Sequence, residues 1–449
     1  MSIWGRRLAL GVGLWVIFVA NGREIGAGDT IPAILLPIAI ARGDGFTLDR
    51  FEPVISSGDA AATGTGESLP YFAARKRGRL VSRYPVAPVV VALPFTLPQI
   101  ALLDRWRPGW DATPVGALRY GRWIAKNAAA AVVALAAVLL CQALRAFGLA
   151  RVALPATLVA ALGSPLWTIA AQSPWQHGTG VLALTTAILL LRSAPGRSRA
   201  LATGLALAVL VAARLPDIVF ALPLAGWALL RRPREAPWLA AGPLVVGSLL
   251  AGYNLGWFGT LLGGQVEIEA VRLPMQGLPA TWGNPLVGAA GTLFSPNRGL
   301  LVFCPWVATA AVVALPTLRA RFGAGSMAWP LLLGLCGHFA VVASYSNWWG
   351  GWCFGPRYWT EAVPVLAMLL AVALEDARTR GAAVRVAVYG TAAYAIVLQG
   401  IGALYYPSSW NATPLPTGQH HERLWDWSDS EITRGLREGP HRAECPLRP

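Results

Sequence analysis

Charge is scarce in this chain: acidic and basic side chains make up only 13% of its 449 residues. An average soluble domain carries roughly 25%, so most of this surface is not built to face water. The usual signatures of soluble enzymes are also missing. No P-loop, dinucleotide fingerprint, serine-triad signature or zinc spacing occurs. No internal repeat is visible, which counts against a repeat-built transporter. The five cysteines follow no metal-binding spacing. Cys141, Cys304 and Cys336 fall inside apolar runs as small core residues, while a pairing of Cys353 with Cys445 stays open on the sequence alone.

What the chain has in abundance is apolar length. It is 55% hydrophobic with a mean hydropathy of +0.50, and its apolar residues fall in long runs, the pattern of an integral membrane protein. Candidate spans lie near residues 4–20, 124–144, 152–171, 175–191, 199–213, 216–230, 237–257, 299–318, 327–345, 358–374 and 384–405. The fold class expected is an all-α polytopic bundle of about 11 to 12 transmembrane helices. The first run also resembles a secretory signal and is read as an uncleaved anchor.

The net charge of +15 does not argue for a nucleic-acid partner, because most arginines sit in short clusters between apolar runs. Starting inside at Arg6 and Arg7, alternation puts Arg145/Arg151, Arg192/Arg197/Arg199, Arg231/Arg232/Arg234, Arg319/Arg321 and Arg378/Arg380/Arg385 on the cytoplasmic side. This asymmetry predicts the N-terminus in and the C-terminus out. Residues 86–103 are apolar enough to span, but a crossing there would turn the later clusters outward. Pro88, Pro94 and Pro98 disfavour a regular helix interior, so the segment is read as re-entrant or interfacial, with a twelve-span topology as the alternative. The organisation expected is a transmembrane module over 1–405 with a long first outer loop at 21–123 and a second at 258–298. A short outer region follows at 406–449, where Asn411-Ala412-Thr413 is read as an idle glycosylation sequon.

Under this topology the unusual polar motifs share one side. Asp29 stands between glycines and the proline-started helix at Pro32, either as a general base or as a helix cap. Arg214 is recessed, because the run Ala200–Ala213 rises only about 21 Å against roughly 30 Å of hydrocarbon. It either receives a lipid phosphate or pairs with Asp217. His177 is a catalyst or a hydrogen-bonded corner residue. Arg83, beside Tyr84, and Arg298 sit at span mouths as phosphate ligands or interfacial side chains. Trp348, Trp349 and Trp352 form either an aromatic belt or a ligand-contacting platform beside Arg357. The basic run Arg75–Arg79 is read as solvated or headgroup-facing.

Taken in order, Asp29-Thr30, Arg83-Tyr84-Pro85, Trp175-Gln176-His177-Gly178, Tyr253-Asn254 with Phe258-Gly259, Phe294-Ser295-Pro296, Trp348-Trp349-Gly350-Gly351 and Phe354-Gly355-Pro356-Arg357 resemble the bacterial GT-C glycosyltransferases. That superfamily includes protein O-mannosyltransferases and lipid A aminoarabinose transferases. The resemblance implies a GT-C-like bundle in the bacterial plasma (inner) membrane and inverting transfer on the extracytoplasmic face. It implies a polyprenyl-phosphate sugar donor and a glycan, lipid or protein acceptor. Asp29 matches the first-loop carboxylate proposed as base, and Arg83 the basic residue near the donor phosphate. Many relatives carry two adjacent acids where this chain has Asp29-Thr30, so the base assignment falls on Asp29 alone. No feature demands a metal, although an outer-loop carboxylate is able to bind a divalent ion. A flippase or transporter of a lipid-linked glycan is the competing reading.

The topology has a direct test. Cysteines introduced between Asn347 and Arg357, in a background lacking Cys353, are expected to react with an impermeant thiol reagent in intact cells. Labelling only after the membrane is opened would overturn the assignment.

Overall fold

The computed structural model describes residues 2–56 and 69–441. The chain is mostly helical. Helix α1 (Ile3–Val19) starts at Ser2, whose hydroxyl accepts from the Gly5 N–H at 3.1 Å. Trp4, Leu8, Val12 and Val16 lie four residues apart on one outward stripe and are all exposed. Such a stripe suits lipid, not water. Leu14 and Phe18 face inward onto α5 (Pro114–Ala146). At about 1.5 Å per residue, α5 is about 50 Å long and outreaches the hydrocarbon layer. Its inner seam is richest in alanine, which lets neighbouring backbones approach.

Between α1 and α5 the chain builds a second core. Helices α2 (Ile31–Ala41), α3 (Glu52–Ser56) and α4 (Ala87–Trp106) bury Ile34, Leu35, Ile55 and Val89 together with Leu80 of a hairpin. The hairpin pairs β1 (Ala73–Lys76) with β2 (Arg79–Ser82), and Arg77 and Gly78 both take positive φ, as a two-residue turn of this kind requires. The basic run is therefore not simply a solvated stretch but the turn and flanks of a docked hairpin. It also makes the chain less than purely α-helical. Lys76 bonds Glu267 at 2.5 Å, so part of that charge faces protein.

Residues 86–103 also differ from expectation in form. Helix α4 runs unbroken through Pro94 and Pro98, with Pro88 in its first turn where no donor is lost. It is long and apolar enough to cross a membrane. Yet Gln99 of α4 bonds the carbonyl of Ile124 in the first third of α5, and Arg42 at the end of α2 bridges to Asp104 and Asp111. The segment that leaves α1 thus returns to the same end of the bundle to enter α5. Asn21 marks that end by donating to Gln172 and to the carbonyl of Ala403.

The remaining helices are α6 (Ala153–Leu162), α7 (Gln176–Arg192), α8 (Arg197–Ala213), α9 (Ile218–Arg231) and α10 (Ala236–Phe258). After them come α11 (Gln265–Met275), α12 (Pro285–Phe294), α13 (Leu300–Phe303), α14 (Trp306–Phe322), α15 (Ala328–Ser344), α16 (Val363–Ala377), α17 (Ala382–Tyr405) and α18 (Glu431–Glu438). Among the described residues four helices, those beginning at Ala87, Pro114, Pro233 (with its lead-in turn) and Ala382, are long and apolar enough to span. The run at 152–171 is broken after α6 by Pro165 and a π-helical turn, and the run at 299–318 is broken by Pro305 between α13 and α14. Helix α16 is buried on every side, which makes it the central post of the bundle. Helices α8 and α10 cross so closely that a Cβ on Gly204 would lie 2.1 Å from the Leu239 carbonyl oxygen, and one on Gly242 2.2 Å from the Leu205 nitrogen. Cys336, expected in the core, is exposed on α15. Cys445 lies outside the described residues.

The stretch read as a second outer loop holds α11 and α12, and the C-terminal region is folded against the bundle. Trp348, Trp349, Trp410 and Leu424 share a small core. Beside it Arg298 is buried and bridges to Glu431 at 2.6 Å, bonds the carbonyls of Asn297 and Gly351, and lies 5.4 Å from the Trp410 ring centre. Removing Glu431 alone strands that cation. Glu431→Ala is expected to cost about 3–5 kcal/mol in unfolding of the detergent-purified protein. Arg298→Met combined with Glu431→Leu should recover most of that loss, and a milder single variant would mean the pair is not what fastens this region.

Candidate active site

Three cavities meet at the end of the bundle where α1 finishes and α7 begins. The first, of about 400 Å³, is an apolar groove between α8, α9 and α10, lined by Leu207, Val211, Leu222, Pro243 and Leu250, with Arg83 and Tyr84 at its mouth. Tyr84, Leu215 and Leu262 also line the second cavity, so the groove continues into it. The second, of about 440 Å³, gathers Asp29, His177, Arg214, Glu269, Arg272, Tyr345 and Arg357. The third, of about 270 Å³, lies under the tryptophan loop and shares Asp29, Arg272 and Arg357 with the second.

Asp29 is at the junction. Its carboxylate accepts from the Tyr71 hydroxyl at 2.5 Å and from Arg357 Nη1 at 3.0 Å. The capping position of α2 falls on Thr30 and not on Asp29, and the Asp29 carboxylate is held in place by two side chains instead. Burial pushes its pKa up, but Arg357, Arg272 and the Tyr71 hydroxyl outweigh burial and hold it below the ordinary aspartate range. Arg357 is brought there by the tryptophan loop, whose turns use left-handed glycines at 350, 351 and 355. A Cβ at Gly355 would sit 2.7 Å from the Phe303 ring, so the loop closes only with glycine there. The Arg357 guanidinium lies 4.7 Å from the Trp175 ring centre, which fixes its plane.

Arg214 is presented by the break between α8 and α9. Its Nη1 lies 3.3 Å from Glu361 and 3.6 Å from Asp217, and its guanidinium stands 5.0 Å from the Tyr358 ring centre. The pair with Asp217 is therefore real but shared, and Arg214 still lines the second cavity. Asp217 is fully buried and lines none of the three cavities. His177 is tied through Nδ1 to Glu361 at 2.6 Å, which supports the corner-residue alternative. Arg83 bonds Glu267 at 3.2 Å and the Tyr71 carbonyl at 3.1 Å, holding α11 over the groove mouth.

Besides Asp217, two expected ligand residues are elsewhere. Arg298 lines none of the cavities, and Glu431, two carbonyls and Asn411 occupy its terminal nitrogens. Trp348 packs over Gly291, where an added Cβ would lie 2.5 Å from the indole, and serves as core. Trp349 and Trp352 do line the third cavity. Sequence reasoning missed Glu361, Arg272, Tyr71 and Asn347. Glu361 had a signal, since an acid inside an apolar run marks a functional position by default. Arg272 had a weaker one, three residues after Glu269 on α11, where the two pair at 2.8 Å. Tyr71 had none.

Among the described residues no group of three or more histidine, cysteine or acidic side chains is placed to hold a metal ion. Asp29 faces two arginines, an environment that repels a cation, so the residues here do not fit a divalent ion.

No protein family matches the chain, and no curated protein matches it. Among solved structures it is similar to the crystal structure of ArnT from Cupriavidus metallidurans bound to undecaprenyl phosphate. The identity is 15% and the TM-score 0.42, with 90% of this chain and 76% of that chain covered.

The shared partners of Arg214 sharpen a test. Arg214→Lys keeps the charge but loses the two-pronged guanidinium; on the reading of Arg214 as the receiver of a lipid phosphate, binding of such a lipid should weaken roughly 10- to 100-fold. Arg214→Leu with Asp217→Leu should keep a near-parental melting temperature, because the two charges leave together while Glu361 retains His177. Normal phosphate binding by that stable double variant would remove Arg214 from the site.

Proposed function

We propose that this chain is a membrane glycosyltransferase that moves a sugar from a polyprenyl-phosphate donor to an acceptor hydroxyl on the extracytoplasmic face, with inversion. The observation that carries this reading is the position of Asp29 at the junction of two cavities, one of which opens from an apolar groove and holds arginines. The ordered motifs that resemble GT-C enzymes support it. An isoprenoid tail suits the groove, because its lining is almost wholly aliphatic. The phosphate then reaches Arg214, Arg272 and Arg357, whose guanidinium groups match its oxygens.

The acceptor oxygen attacks the anomeric carbon from the face opposite the phosphate. A new carbon–oxygen bond forms, the bond to the phosphate oxygen breaks, and its electron pair leaves with the phosphate. Arginines at that cavity hold the growing charge, and the acceptor proton passes to Asp29. A depressed pKa makes Asp29 a weak base towards a resting hydroxyl. It suffices once the transition state is oxocarbenium-like, because the bonding oxygen is then strongly acidified and gives its proton late. Arg357 touches Asp29 and also lines the donor cavity, so the same cation orients the base and faces the leaving group.

Asp29→Asn keeps the shape without a proton-accepting oxyanion. Transfer should fall roughly 10²- to 10⁴-fold while undecaprenyl phosphate binding persists. The parent should lose activity on the acid side only below about pH 4, since the carboxylate stays ionised down to or below the usual aspartate value. Transfer by the variant within a few-fold of the parent, or an acid limb near neutrality, would remove Asp29 as the base.

A further inference from the structure

The third cavity carries a set of polar groups that the donor does not use. Asn347 is fully buried, and neither its carbonyl oxygen nor its amide nitrogen has a hydrogen-bond partner among the described residues. Both Trp349 Nε1 and Gln276 Oε1 are buried and unpartnered as well. All three residues line this cavity, together with Trp352, Gln419 and the Asp29 carboxylate. Buried polar groups are ordinarily satisfied, so several orphans around one cavity ask for a ligand that supplies both donors and acceptors.

We propose that this cavity binds the acceptor and that the acceptor is the terminal ring of a carbohydrate. This inference rests on the transferase reading above. A hydroxyl both donates and accepts, so neighbouring ring hydroxyls satisfy an amide oxygen, an amide nitrogen and an indole N–H in a single pose. The apolar C–H face of a sugar suits the Trp349 and Trp352 indoles. An alkyl acceptor would leave the orphans unpaired. The size fits one ring: at about 270 Å³ the cavity falls below the roughly 300–1,000 Å³ of a drug-sized ligand site. Asp29 at the shared boundary places the base beside the hydroxyl that reacts, while Pro416–Gln419 of the C-terminal region closes the far wall. Asn347 is thereby a specificity-determining residue and Asp29 the group common to both substrates.

Saturation-transfer difference NMR on the full-length protein in nanodiscs tests this with a panel of methyl pyranosides and methyl furanosides. N-acetyl threonine amide serves as the peptide probe and undecaprenyl phosphate as the donor probe. At least one glycoside should bind saturably to the parent, and Asn347→Ala should reduce its signal at least about five-fold with undecaprenyl phosphate binding unchanged. Because Asn347 is fully buried, Trp352→Ala at a 49% exposed position is the second variant, with the same expected loss. Binding of undecaprenyl phosphate but of no glycoside, binding of the threonine amide instead, or glycoside binding indifferent to both variants would overturn the carbohydrate acceptor and leave the transferase reading in place. Failure to bind undecaprenyl phosphate would strike the transferase reading itself.

Discussion

One ion pair, Asp29 with Arg357, organises the site. It joins residues 328 positions apart at 3.0 Å, and both side chains line the two polar cavities. Without Arg357 the Asp29 carboxylate would face burial with less compensation and drift upward in pKa. Without Asp29 the arginine would be a buried cation beside Trp175, short of its counterion. Arg357 therefore keeps Asp29 ionised, and Asp29 neutralises a cation that cannot shed its charge. The Tyr71 hydroxyl and the Trp175 ring remove the remaining freedom of orientation, so the carboxylate is presented at the boundary with little conformational choice.

Around that pair the bundle separates two solvents. Helices α8, α9 and α10 offer aliphatic side chains to a groove, and the Gly204–Gly242 crossing sets the distance between two of its walls by backbone contact. Above it, the breaks at Arg214 and at the tryptophan loop bring cations to where the groove ends. The cations are not free charges: Arg214 has Glu361 and Asp217, and Arg272 has Glu269. A partner that can be traded for a ligand oxygen lowers the cost of holding an empty arginine site in a poorly hydrated place.

Much of this was legible in the sequence, for physical reasons. Long apolar runs and arginine clusters report on the bilayer directly, and Asp29, Arg214 and Arg357 were conspicuous as charges beside such runs. What stayed hidden depends on contacts between distant segments. Arg298 and Arg357 both look like arginines at turn-flanked span mouths, yet one meets Glu431 in a sealed core and the other meets Asp29 at a cavity. No local pattern separates them. Prolines misled in the opposite direction, since α4 tolerates Pro94 and Pro98 within one helix. Glu361 was readable and was passed over, because the apolar run around it looked like an ordinary span.

The C-terminal region has a consequence for how the protein matures. Asn297 and Glu431 are 134 positions apart, and the Arg298–Glu431 bridge forms beside their contact. During synthesis Arg298 emerges long before its counterion, and the wall at Pro416–Gln419 is made only after the helices up to α17. A chain halted just before this region would hold every helix of the bundle, the groove and Asp29, but no closed third cavity. Closure of the third cavity in this way waits on the segment that follows α17, and a copy halted before it keeps the apolar groove without that wall.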